Sequence, residues 1–343
     1  MRDQTDHAGQ RLLLDAAKAG DERAYAQLVE PHRRPLHAHC YRLLGSVQDA
    51  EDAVQETLIN AWRGLGQFEG RSSLRSWLYS IATNVCLRMI ERRPARVLPI
   101  DYGPPADPHT GLGPPLVEST WIQPYPDAAF GVADGLARPD ARYEQREAVE
   151  LAFIAALQHL PARQRAVLIL RDVLGFSGAE VAEALDTTPA SVHSLLQRAH
   201  ATLDGRLPDR SQQATLRILG DKQLSSIVNR YVDAWAHGDV DAISAMLTET
   251  ATLAMPPTAS WFRGRDAIAA FLRGAALDGT RSWRLLPTSA NGQLAMGTYV
   301  LDRSGAYVPY GVTVLRLRGD KIDEITTFAD PSVPDRFDLP RQA

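Results

Sequence analysis

Gly175 to Leu203 reads GFSGAEVAEALDTTPASVHSLLQRAHATL. Two short helices joined by a tight turn fit this stretch. Val181, Ala182 and Leu185 form an apolar stripe on the first. Thr187, Thr188 and Pro189 supply a turn, an N-cap and a first-turn proline, so a second helix begins there. On it Val192, Leu195, Leu196, Ala199 and Leu203 recur at helical spacing and face inward. The opposite face is polar: Ser191, His193, Ser194, Gln197 and Arg198. This pattern is that of a helix-turn-helix whose second helix can enter a major groove. An ordinary helical hairpin in a bundle is the alternative.

Composition sets the frame for that motif. The chain has 343 residues, enough for two or three domains, with 45% hydrophobic and 23% charged residues. Two cysteines, Cys40 and Cys86, fall in helical patterns and fit a reduced, cytoplasmic protein. No apolar run reaches the length of a membrane span, and MRDQTDHAGQ does not read as a signal peptide. Net charge is −4, so there is no global basic signature. Positive charge for DNA must be local, or a partner protein must supply much of the phosphate contact.

Outward from the motif the chain parses into blocks. Residues 11–93 read as a compact helical domain with five apolar stripes. The last of these, Leu74, Trp77, Leu78, Ile81, Ala82, Val85 and Met89, is the most regular. Residues 94–139 are rich in Pro and Gly and read as a linker, with Trp121, Tyr125 and Phe130 as anchoring contacts. Helical periodicity resumes over 140–207. After Pro208 two helical patterns precede a change of period toward two, in ATLAM, RSWRLLPTS, QLAMGTYVLD, GVTVLRLR and KIDEITTFAD. Residues 221–330 are therefore expected to form an α+β domain, followed by a tail over 331–343.

Two further stretches carry chemistry. In DAEDAVQETLINAW, Asp49, Asp52 and Glu56 share a helix face, flanked by Glu51 and Gln55. A solvated face explains them, and so does an acidic docking surface for a basic partner. FEGRSSLRSWLYSIATN places a loop before a helix that is expected to expose Arg75, Asn84, Arg88, Arg92 and Arg93. Basic residues beside Trp77 suit single-stranded DNA, although a basic helix end also complements the helix dipole.

In this order the three blocks resemble the sigma-70 family, in particular its extracytoplasmic-function (ECF) group, over residues 11–93 (region 2) and 140–207 (region 4). The resemblance implies two all-α domains that recruit core RNA polymerase and read a promoter. Asp49, Glu51, Asp52, Gln55 and Glu56 would dock on the coiled coil of the polymerase β′ subunit. Arg71, Ser72, Arg75, Trp77, Asn84, Arg88 and Arg92 would melt and read the −10 element. Thr188, Ser191, His193, Ser194, Gln197 and Arg198 would read the −35 element, and the β flap would meet Arg163 to Val173. The linker would stand in for the middle domain of larger sigma factors. His193, Leu195 and His200 stand where related recognition helices carry Lys or Arg.

The C-terminal part, beyond those blocks, resembles the SnoaL-like branch of the nuclear-transport-factor-two-like fold, through YVDAWAHGDVDAI, WFRGRDAIAAFLRG and GDKIDEITTFAD. That resemblance implies a cone-shaped α+β domain with an apolar pocket. Trp235, Met255, Trp261, Phe271, Trp283 and Tyr299 are candidate lining, or simply core. Asp233, His237 and Asp241 are the nearest acid–base candidates, better explained as exposed groups near a helix end. His32, His37, His39 and Cys40 match no zinc-site spacing, so no metal and no cofactor is expected. The reading is a cytoplasmic transcription initiation factor, not an enzyme. Its C-terminal domain modulates activity through the Asn291–Gly292 turn and the tail and offers a site for a small-molecule ligand. The alternatives are a SnoaL-like cyclase or isomerase with attached DNA-binding domains, and a repressor that never engages polymerase.

Overall fold

The computed structural model describes residues 2–117, 120–129, 148–204, 206–208 and 210–343. Phe130 and the start of the second helical block at Ala141 lie outside the described residues. The chain divides into two units. One comprises the described parts of Met1–Ala95, Ala129–Gln145 and Ala156–Arg206, the other Arg96–Ala128, Arg146–Ala155 and Leu207–Ala343.

The first unit is helical. Its elements are α1 (Arg2–Lys18), α2 (Glu22–Leu44), α3 (Val47–Gly64) and α4 (Leu74–Glu91). Helix α5 (Leu151–Gln158) straddles the division, and α6 (Ala162–Leu168), α7 (Gly178–Ala184) and α8 (Pro189–Leu203) follow. Local chemistry sets the ends. Asp21 caps α2 by accepting from the Arg23 and Ala24 amides, and Gly45 ends it at φ 69°. Ser46 caps α3 and Ser73 caps α4.

Sequence periodicity suggests two helices between Asp21 and Gly45. The structure has one of 23 residues, with Pro31 and Pro35 inside it. Each proline removes a single backbone bond, whereas the buried row Leu28, Val29, Leu36 and Leu43 runs on across both. Leu12, expected on the inner face of α1, is instead exposed, with Ala17 buried in its place.

Two buried polar groups shape this unit. Arg165 on α6 is buried and donates to the carbonyls of Leu43, Gln158 and Leu160 and to Gln158 Oε1. Burial pushes its pKa down to about 10, so it remains charged at neutral pH. His39 is fully buried on α2, with Nε2 2.9 Å from Thr83 Oγ1. The Thr83 hydroxyl donates to the Tyr79 carbonyl, so His39 Nε2 carries the proton and Nδ1 is bare. Nδ1 has no partner among the described residues, and burial lowers the His39 pKa to about 3. Cys40 lies beside Cys86 in the same interior. His39 and Cys40 thus fill a core, and among the described residues no His, Cys, Asp and Glu cluster suits a metal ion.

The second unit is built on a six-stranded sheet: β1 (Leu247–Ala254), β2 (Trp261–Arg263), β3 (Trp283–Ala290), β4 (Gln293–Leu301), β5 (Tyr307–Arg318) and β6 (Lys321–Phe328). The order is β2-β1-β6-β5-β4-β3, with β1 and β6 parallel and the other pairs antiparallel. Helices α9 (Gln212–His237), α10 (Val240–Met246) and α11 (Arg265–Phe271) pack on it, joining Ile227, Tyr231, Ile243 and Ile268 to Leu285, Met296 and Leu315 in one core. Asn291 and Gly292 both take positive φ, 55° and 66°, which makes the tight turn between β3 and β4.

The Pro/Gly-rich segment departs from the expectation of a largely free linker. The Ala106 amide donates to the Trp261 carbonyl at 2.7 Å and the Leu116 amide to the Pro257 carbonyl at 2.8 Å. The indoles of Trp261 and Trp121 donate to Gly103 and Pro257 carbonyls. Asn291 accepts from the Tyr125 amide and donates to the Val149 carbonyl, each at 2.8 Å. The sheet domain therefore holds the described part of 96–128 and residues 148–150, although sequence reading assigns the first to a linker and the second to region 4. The tail packs on its own domain, where the Tyr299 hydroxyl donates to the Pro340 carbonyl.

His39 makes the helical unit acid-sensitive. Its folded pKa lies below its unfolded value, so stability is complete above about pH 6.5 and falls as pH drops. Burial lowers His32 and His37 in the same direction. Between pH 7 and pH 5, urea titrations should show a loss of which His39 contributes about 2 kcal/mol; His39→Gln should remove that share and leave the smaller slope due to His32 and His37.

Candidate nucleic-acid interface

Three surfaces carry the residues singled out above. On α3, Ser46 Oγ accepts from the Asp49 amide at 3.2 Å. This turns Asp49 inward, where it is buried and ion-paired with Arg93. Glu56 pairs with Arg88 at 3.0 Å. Glu51, Asp52 and Gln55 stand exposed. The acidic ridge is thus narrower than helical spacing alone suggests, and two arginines expected to face DNA are tethered to it.

The loop and helix expected to read single-stranded DNA are more occupied than predicted. Arg71 is exposed beside Glu69 at 3.1 Å, Ser72 is half-buried and Arg92 is exposed. Trp77 is half-buried against Phe68, with ring centroids 4.8 Å apart. Arg75 lies against Tyr79 and Phe176, 5.1 and 4.5 Å from their ring centres, and donates to the Leu174 carbonyl at 3.2 Å. Ser76 donates to Glu180 at 3.1 Å. Ser80 and Asn84 both donate to the Ala184 carbonyl. Arg75 and Asn84, expected to be exposed, are therefore bound to the helix-turn-helix of the same chain. Unpaired polar groups on α4 need partners, and the open C-terminal carbonyls of α7 provide them.

The helix-turn-helix has well-made ends. Ser177 and Glu180 form a reciprocal capping box, with bonds of 3.2 and 2.8 Å. Thr188 accepts from the Ser191 amide at 3.2 Å, so its oxygen is engaged as the cap of α8. Val192, Ala199 and Leu203 are buried. His193, Ser194, Gln197 and Arg198 are exposed and Ser191 half-buried. His200 instead meets Asp172 at 2.6 Å.

The sheet domain contains a mostly apolar cavity that opens to solvent. Trp235, Met255, Phe271 and Trp283 line it as expected, but Trp261 and Tyr299 do not. Strand alternation explains both exceptions. Phe262 stacks on Phe271 in the core while Trp261 turns to Gly103, and Thr298 faces the cavity while Tyr299 turns to the tail. Sequence reading, looking for aromatics, missed Thr298, Thr313 and Thr327. Their hydroxyls form a buried row across three strands, 3.0 and 2.9 Å apart. Leu112, Arg281 and Tyr310 were missed as well. Asp233, His237 and Asp241 lie outside the cavity: the His237 ring meets the Asp233 carbonyl and Asp241 pairs with Arg273.

Comparison with known proteins assigns each part of the chain to a family. Family models match at residues 28–95 (sigma-70 region 2), 144–203 (sigma-70 region 4) and 228–325 (SnoaL-like domain). The class is therefore a sigma-70-type factor with an appended SnoaL-like domain. The ECF RNA polymerase sigma factor SigG of Mycobacterium tuberculosis is 40% identical over 324 residues, 93% of this chain and 85% of the relative. SigW of Bacillus subtilis is 28% identical over 200 residues, 57% of this chain and 95% of the relative. The crystal structure of Mycobacterium tuberculosis SigJ has the same fold, with TM-score 0.53 and 22% identity over 90% of this chain and 97% of that one. The chain belongs to the ECF RNA polymerase sigma factors.

The Arg75 contacts combine a charge-assisted hydrogen bond with two cation–π faces. Their loss is worth about 2 kcal/mol. Arg75→Ala should therefore speed amide exchange in α7 by roughly 30-fold, read by hydrogen–deuterium exchange. Unchanged exchange would show that Arg75 does not hold the two regions together.

Proposed function

We propose that the chain docks on core polymerase through the exposed carboxylates of α3 and reads duplex DNA through α8. On this reading it reads melted DNA through α4 only after α4 has separated from α7. The observation that carries this is the opposite state of two polar faces. His193, Ser194, Gln197 and Arg198 are exposed, whereas Arg75 and Asn84 are bonded to Leu174 and Ala184. A free protein of this form can meet a duplex but offers little of α4 to a single strand. Docking on polymerase would then supply the free energy that opens the clasp, as any ligand that favours one of two states does. Docking at the β′ coiled coil fits Glu51 and Asp52, because a short acidic ridge suits a basic helical partner. The helix from Arg163 to Val173 would meet the β flap. The protein would act where polymerase works, in the cytoplasm, and no described helix is long and apolar enough to cross a membrane.

The C-terminal domain would modulate this activity through the segment between the two DNA-reading regions. Its Asn291–Gly292 turn holds Tyr125, Asp127 and Val149 on either side of the undescribed residues 130–147. Its cavity would bind a molecule rather than convert one. Among the described residues lining it the only acid–base side chains are Tyr310, whose phenol burial pushes upward, and Arg281, and neither takes up a proton readily near neutral pH.

Glu51 and Asp52 are both exposed, so reversing them leaves the fold intact. The double variant Glu51→Lys/Asp52→Lys should lose at least about tenfold in affinity for core polymerase, measured by pull-down and fluorescence anisotropy. Unchanged affinity in a folded double variant would contradict the docking surface.

A further inference from the structure

We infer that the cavity of the sheet domain is a receptor for a small apolar carboxylate. Three features of its wall lead there. First, the body of the cavity is apolar. Trp235 and Trp283 meet edge to face at 5.7 Å, Trp283 and Tyr310 at 5.0 Å, and Phe271 and Leu285 extend the surface. Such walls take a flat aromatic or alicyclic body.

Second, that wall carries polar groups with protons to spare for a ligand. The Trp235 indole N–H and the neighbouring Tyr231 hydroxyl are both buried with no hydrogen-bond partner among the described residues. Burial pushes the Tyr231 phenol upward and the Trp235 N–H pulls it slightly back, but no well-formed bond joins them. The threonine row holds three hydroxyl protons and makes two contacts, Thr298 to Thr313 and Thr313 to Thr327. At least one hydroxyl proton is therefore unused among the described residues. Buried donors without acceptors are unfavourable, and an acceptor oxygen on a ligand would satisfy them.

Third, the only formal charge on the described lining is positive. Arg281 stands exposed at the mouth, where its charge is felt by Tyr310 and by Asp278. It makes no ion pair among the described residues. An apolar base would meet this guanidinium unfavourably, and a neutral hydrocarbon would leave the donors unmatched. A carboxylate answers both.

The site also reaches the chain between the two DNA-reading regions. Leu112, on the segment seated by Ala106 and Leu116, forms part of the rim. A bound acid would touch Leu112, so occupancy and the seating of this segment are coupled. This inference deepens the modulatory role proposed for the C-terminal domain and rests on it for biological meaning, but not for its test.

The test is calorimetric titration of the full chain with 2-naphthoate and with 2-naphthalenemethanol, its uncharged counterpart. The acid should bind saturably, at least about tenfold more tightly than the alcohol. Arg281→Gln, at an exposed position, should remove most of that preference while leaving the alcohol unchanged. Trp235→Phe should weaken both, and Leu112→Ala should weaken both severalfold. Absence of saturable binding, equal affinity for acid and alcohol, or an Arg281→Gln chain that still prefers the acid would overturn the proposal. Leu112→Ala binding as the parent does would overturn the link to the intervening segment. Run-off transcription with core polymerase on the same preparations separates these outcomes from a failure of the initiation-factor reading itself.

Discussion

One guanidinium sets the state in which this protein is found. Arg75 stacks against Tyr79 of its own helix and Phe176 of the helix-turn-helix, and one of its N–H groups donates to the Leu174 carbonyl. The bonds of Ser76, Ser80 and Asn84 follow in register along the next turns of α4. Donor groups left on the open face of a helix must find acceptors elsewhere. Here the acceptors are Glu180 and the C-terminal carbonyls of α7. Arg165, buried and bonded to four acceptors including the Leu43 carbonyl, adds a second tie in the same unit. Opening such a contact uncovers a charge that is worth little in water and much beside phosphate.

Much of this architecture was legible in the sequence, for reasons that can be named. The helix-turn-helix announced itself through Thr188, Pro189 and the Val192–Leu203 stripe, because caps and periodicity are local. All five stretches read as strands are strands, and Asn291–Gly292 forms the turn its residues favour. Strand β2 was not marked as a strand, because three residues are too few to show a period. The apolar residues at 24–29 and 36–44 read as two helices, but the buried face of α2 runs on across Pro31 and Pro35. Asp49 looked like its neighbours Asp52 and Glu56, yet a cap at Ser46 and an ion pair with Arg93 draw it inward. Those partners are respectively near and far in sequence, and only the near one could have been anticipated. The occupancy of Arg75 and Asn84 depends on contacts about a hundred residues away, which no periodicity reports.

The cavity teaches a similar lesson about side-chain direction. Aromatic residues drew attention as lining, and four of the six face the cavity. The two that do not, Trp261 and Tyr299, are one residue out of phase with neighbours that serve the interior, Phe262 and Thr298. The informative signal was polar: threonines at 298, 313 and 327 are buried on three adjacent strands. A buried polar residue in a strand is rarer than a buried aromatic and says more about what the space is for. The Pro/Gly-rich segment likewise proved to be seated rather than free, because its backbone groups find partners on Trp261, Pro257 and Asn291.

The central claim, that α4 is held by α7 in the free protein and released on polymerase, is open to direct measurement. Both native cysteines are buried, so spin labels can be directed to Glu91→Cys on α4 and Glu183→Cys on α7, two exposed positions. Pulsed electron resonance then reads the distance between them. The account predicts a single narrow distribution in the free chain and its replacement by a longer one in the holoenzyme. The same distribution in both states would contradict it.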